Sequence, residues 1–171
     1  MAELTPQERL QPALLDRLVD DEPQNKAKEP RDRRVLNKQR LRQAVLRDLA
    51  WLFNATNLGT DNELASHREV ARSVVNFGLP ALSGQTASAL DIVDLERAIR
   101  QAILDFEPRI LPGTLEVEPI VSEQQIDQHN VVSIQIRGTL WAQPVPLELL
   151  LRTDVDLESG EVQIRDLTRS G

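Results

Sequence analysis

The sequence predicts an α+β fold: N-terminal helices followed by a mostly antiparallel sheet of about four strands, covered on one face by helices. Three observations predict it. Up to residue 106 apolar side chains recur at helical spacing, and from residue 114 they alternate with polar ones. The length of 171 residues suits one globular domain with an extra N-terminal segment, and 40% apolar residues suffice for its core.

The first element is a short amphipathic helix over 7–20, with Leu10, Leu14, Leu15 and Leu18 on one side. Pro23 and Pro30 bound a polar, charged stretch at 21–34 that reads as a linker. Residues 1–34 thus form an N-terminal helix and charged linker, and 35–171 the α+β domain. So short a helix on a tether is marginal alone, which suits it to a partner.

A second helix is predicted over 35–54, where Leu41, Val45, Leu49 and Leu52 share one face and Asn54, Asn57 and Gly59 mark the end. Ser66 to Glu69 fit a capping box that opens a third helix, closed by Gly78 and Pro80. The fourth spans about 91–106 with Asp91 as its N-cap, and buries Ile92, Leu95, Ile99, Ala102, Ile103 and Phe106. Pro108 stops it.

Period two then takes over. Leu115, Val117 and Val121 mark one strand, and Val132, Ile134 and Ile136 the next. Leu147, Leu149 and Leu151 mark a third, and Val162 and Ile164 a fourth, joined by a hairpin turn at Glu158 to Glu161. Strands with one wet face imply an antiparallel sheet backed by helices.

Net charge is −7 and uneven: residues 26–47 carry 9 basic and 2 acidic side chains, whereas 48–171 carry 9 basic and 19 acidic. The basic block raises the possibility of nucleic-acid binding. Aromatic residues make up only 3%, too few to stack bases, and the acidic remainder repels phosphates, so no nucleic acid is expected. The plainer alternative is a helix face that meets an acidic protein surface, its own included. No apolar run approaches the roughly 20 residues that span a bilayer, and the N-terminus lacks the pattern of a secretory signal, so no membrane insertion is expected.

Chemistry is sparse. There is no Cys, and His67 and His129 stand 62 residues apart outside any metal-ligand spacing, so neither metal nor cofactor is expected. Phosphate-cradling glycine motifs and nucleophile elbows are missing. Paired carboxylates remain the one catalytic arrangement 27 acids allow, and they define the alternative reading, a peptidoglycan-type glycoside hydrolase. Glu107 has the most unusual context, but beside Arg109 it suits an ion pair and not a general acid. No catalytic residue and no small-molecule substrate is expected.

Five ordered blocks carry a resemblance. Leu14 to Leu18 with Asp21 to Pro23, Val45 to Asn54, Ser73 to Pro80, Phe106 to Ile110, and Leu140 to Pro144 with Val155 to Gly160 resemble the phage baseplate wedge sheath-initiator family. The likeness is closer to its type VI secretion branch, TssE. Parts of this family have carried a lysozyme-like label, an activity that nothing in the sequence supports. The resemblance implies a structural baseplate subunit, cytoplasmic and near the inner membrane, whose partners are other wedge subunits and contractile sheath subunits. It implies that the subunit starts sheath polymerisation by strand addition, and that Glu107, Pro108 and Arg109 hold it to the wedge. The residues themselves leave a second meaning open for that motif, an internal ion pair that sets the helix-to-strand corner.

Overall fold

The computed structural model of the chain describes residues 14, 18, 38–59, 64, 66–82, 92–120, 131–142 and 145–168. Within them lie three α-helices, α1 (Lys38–Phe53), α2 (Arg68–Ala71) and α3 (Ile92–Phe106). Four strands follow: β1 (Glu116–Pro119), β2 (Val131–Leu140), β3 (Leu147–Asp156) and β4 (Val162–Asp166). They form one antiparallel sheet in the order β1-β2-β3-β4. The α+β expectation holds. Of the helix expected over 7–20, the described residues are Leu14 and Leu18, both helical and exposed; the rest of that helix, the linker at 21–34 and the cap Asp91 lie outside them.

The helix α1 is held by what it buries. Its stripe of Leu41, Val45, Leu49 and Leu52 lies at 4% exposure or less, joined by Ala44 and Phe53. No acid in its first turn and no base in its last assist its dipole, so burial, worth about 1.5–3 kcal/mol for each such side chain, does most of the stabilising. On α3, Leu95, Ile99, Ala102 and Ile103 are buried, while Ile92 stays exposed at the helix start. The helices lie side by side on one sheet face, α3 against β1 and α1 against β4.

Pairing in the sheet follows the period-two pattern. Val117, Ile136 and Leu151 line up on the helix side, as do Ile134, Thr153 and Ile164. The opposite face carries Glu118, Gln135, Arg152 and Arg165 in one row. In the β3–β4 turn, Gly160 takes φ of 76°, while the Asp156 carboxylate accepts the N–H groups of Glu158 and Ser159 at 2.8 and 3.2 Å.

The helix expected over 66–77 is instead two short pieces. The helix α2 has no side-chain cap and ends at Arg72, Ser73 is extended, and a 3-10 turn covers Val74–Asn76. The β-branched Val70, Val74 and Val75 gain little from a helix and bury nothing, all three being exposed. Beyond them Gly78 has φ of 126°, and a Cβ there would stand 2.3 Å from the Ala55 carbonyl oxygen. The chain passes so close because Leu79 pairs with the segment after α1: its N–H donates to Ala55, and its carbonyl accepts from Asn57.

Candidate functional site

The helix α3 ends at Phe106, where Pro108 cannot continue it. The Glu107 N–H still donates to Ile103, and after Pro108 the chain turns to pair with the end of β2: Trp141 N–H donates to the Arg109 carbonyl, and Leu111 N–H to that of Thr139. Arg109 is thereby fixed by its backbone before its side chain makes a contact.

Glu107 is 3% exposed, and its carboxylate is occupied by Arg109. Arg109 Nε donates to Oε1 at 2.7 Å and Nη2 to Oε2 at 2.5 Å, while the Arg109 backbone N–H also reaches Oε1. Arg109 Nη2 further donates to Asp48 Oδ2 at 2.6 Å. The other Asp48 oxygen takes two donors from Arg47, whose guanidinium lies 5.0 Å from the centre of the Trp51 ring. Burial works against the Arg109 charge, but the hydrogen bonds and charges of Glu107 and Asp48 outweigh it and hold its pKa above the ordinary arginine value.

The three residues singled out in the sequence therefore divide. Glu107 is an internal anchor that aims Arg109, Pro108 is exposed at the corner, and Arg109 is partly exposed. Beside them runs an apolar groove of about 450 Å³ lined by Trp51, Leu52, Phe77, Phe106 and Pro108. Phe77 and Phe106 meet edge to face with centroids 5.3 Å apart, and Trp51 is half exposed. Asp48, Arg47 and Trp51 were not singled out as site residues; the signal for Asp48 was a lone acid directly beside the buried stripe of a basic helix.

Two of the four described bases of the basic block, Arg42 and Arg47, are engaged internally. Arg42 donates to the Glu148 carbonyl at 2.6 Å and stands 3.8 Å from Asp166, and Arg47 serves Asp48. His67 precedes α2 and is exposed, and His129 lies outside the described residues. Among the described residues no group of three or more His, Asp or Glu is placed to hold a metal ion, and no helix is long and apolar enough to cross a membrane.

The described residues thus bring together a buried charged anchor, an apolar groove beside it and a four-stranded antiparallel sheet. The family model for the baseplate wedge protein gp25 matches residues 39–145, and the chain belongs to that family. It is a baseplate wedge component. No curated protein and no solved structure matches it. The match runs from α1 to just before β3 and takes in the whole Glu107 to Arg109 corner.

Proposed function

We propose that this baseplate wedge component is the sheath initiator of a type VI secretion system, a structural subunit and not an enzyme. It joins the wedge to the contractile sheath, and the sheath begins to grow when a sheath strand adds to its sheet. It works in the cytoplasm at the baseplate, with wedge and sheath subunits as its partners. The observation that supports this best is a four-stranded antiparallel sheet in a chain of the gp25 family: among the described residues its last strand, β4, pairs with no strand but β3, which leaves backbone groups for a visiting strand.

In this reading the wedge side is the corner at Pro108 and Arg109 with the groove beside Trp51, and Glu107 acts through Arg109 from inside. The N-terminal helix and linker, residues 1–34, form a separate recruiting segment. Two measurements test it. Wedge and sheath subunits are pulled down with the full chain and with a version lacking residues 1–34, and sheaths are counted by fluorescence in cells carrying Pro108→Ala or Arg109→Lys. Both substitutions should leave the protein folded, weaken wedge capture and lower sheath number. Normal capture and normal sheath numbers in both would remove the corner from the interface, and failure of the full chain to hold any sheath subunit would end the initiator reading.

A further inference from the structure

The two edges of the sheet are not equivalent. In an antiparallel ladder alternate residues turn their N–H and C=O outward. The bonds from Leu167 to Leu150 and from Asp156 to Glu161 fix that alternation on β4, so Val162, Ile164 and Asp166 face outward. On β1 the bond from Ile120 to Ser133 makes Leu115, Val117 and Pro119 the outward set.

The edge at β1 is closed. Arg100 Nη1 occupies the Leu115 carbonyl at 2.9 Å, Pro119 has no N–H, and Val117 is 4% exposed as a whole residue, so no strand reaches its backbone. Among the described residues the edge at β4 is closed at one rung. Asn54, just past α1, donates from Nδ2 to the Val162 carbonyl and accepts the Val162 N–H on Oδ1, each at 2.9 Å. One side-chain amide thus fills the place of a neighbouring strand's peptide group. Beyond it the next outward rungs are Ile164 and Asp166. Asp166 is exposed as a residue although its side chain is only 24% exposed, so its backbone is what faces solvent.

The side chains around this rim select what fits. Arg165 and Arg152 face each other across the β3–β4 ladder and share one carboxylate, Asp154, at 3.7 and 2.9 Å. The pair keeps a surplus positive charge, and Arg165 is 62% exposed. On the helix side of the same edge stands Ile164, half-buried. A second copy does not suit this edge, because antiparallel self-pairing centred on Arg165 sets two arginines opposite each other.

We propose that the Ile164–Asp166 rim of β4 takes an extended segment of a different protein, one that sets an acidic residue against Arg165 and an apolar residue beside Ile164, and that Asn54 fixes where that segment stops. This rests on the strand-addition reading above and names the edge, the chemistry and the end stop. One residue of slip would turn every side chain of the segment to the wrong face, so a fixed stop converts a generic edge into one register.

The test is amide hydrogen exchange of the full chain with an octapeptide of alternating valine and glutamate, and with its valine–lysine counterpart. At ten times its dissociation constant the glutamate peptide should slow exchange at Ile164 and Asp166 about tenfold. The lysine peptide should not, although the chain's net charge of −7 favours it. Arg165→Glu should reverse that preference, and Asn54→Ala should add Val162 to the amides the peptide protects. Protection at Val117 instead, equal protection by both peptides, protection by neither, or protection that grows with protein concentration alone would each overturn the proposal. Sheath capture by a chain whose β4 rim stays unprotected sinks this edge assignment and spares the initiator reading; a protected rim without sheath capture does the reverse.

Discussion

Arg109 and Asp48 meet at 2.6 Å although 61 positions of sequence separate them. The contact ties α1 to the corner after α3, and it is the outer half of a relay whose inner half is Glu107. The two halves differ in cost. Removing Arg109 strands a carboxylate that is 3% exposed, and losing one partner of such a pair costs about 3 kcal/mol. Removing Asp48, whose side chain is 26% exposed, should cost no more than about 1 kcal/mol. Urea midpoints of Arg109→Ala and Asp48→Ala measure this; equal losses would place the anchor on α1 instead of at Glu107.

Gly78 should tolerate no side chain. Its φ of 126° is hostile to any L residue, and an added Cβ would lie 2.3 Å from backbone that cannot swing away. Gly78→Ala should cost on the order of 3 kcal/mol and part the 55–57 segment from Leu79. Gly113 is the control: a Cβ there meets nothing within 4 Å, so Gly113→Ala should be neutral or stabilise by about 0.4–1 kcal/mol. Thermal melts of the two variants decide it, and equal midpoints would mean that the Gly78 turn relaxes freely.

What the sequence made legible was whatever repeats with a period. Leu41, Val45, Leu49 and Leu52 declare a buried helix face, and Val132, Ile134 and Ile136 a buried strand face, because burial is imposed turn by turn. The blocks that carried the family likeness also converge: Trp51, Phe77 and Phe106 line one groove, and Arg109 pairs with Trp141. Illegible were the single long-range polar contacts. Asn54 looks like any residue that ends a helix, and nothing local says that its amide finds Val162, 108 positions later. The helix expected at 66–77 breaks for a related reason: the apolar spacing is present, but Val70, Val74 and Val75 have no core above them to reward one continuous turn.

Thr153 offers a gain in stability. It is fully buried between Ile134 and Ile164 in the sheet, and its hydroxyl oxygen has no hydrogen-bond partner. Replacing it with valine keeps the β-branched shape and removes an uncompensated desolvation, so Thr153→Val should raise stability by about 1 kcal/mol. Ser133 is the contrast on the opposite face, donating to Asp154 at 2.6 Å and accepting from Arg152 at 3.1 Å, so Ser133→Ala should lower stability. Chemical denaturation of both checks the pair; a destabilised Thr153→Val would show that the hydroxyl is satisfied.

Acid should weaken the β3–β4 hairpin through two carboxylates. Burial pushes the Asp154 carboxyl up, but the hydrogen bonds from Ser133 and Arg152, with the charges of Arg152 and Arg165, outweigh it and hold its pKa below the ordinary aspartate value. Asp156 is lowered by the backbone N–H groups of Ser159 and Glu158. Each group binds its proton less readily folded than unfolded. Their stabilisation is therefore complete above the unfolded value of about 3.9 and disappears as pH falls through the lower folded values. Urea midpoints followed from about pH 6 to about pH 2 should fall most steeply below pH 4 or so, and Asp154→Asn should start lower and fall less. Because Asp154 also bridges Arg152 and Arg165, its protonation frees both arginines together, so the protection factors of the ladder-bonded Gln163 and Arg165 amides, taken relative to intrinsic exchange at each pH, should fall over the same range. An acid limb unchanged by Asp154→Asn would assign the loss to carboxylates elsewhere and detach the β4 rim from this network.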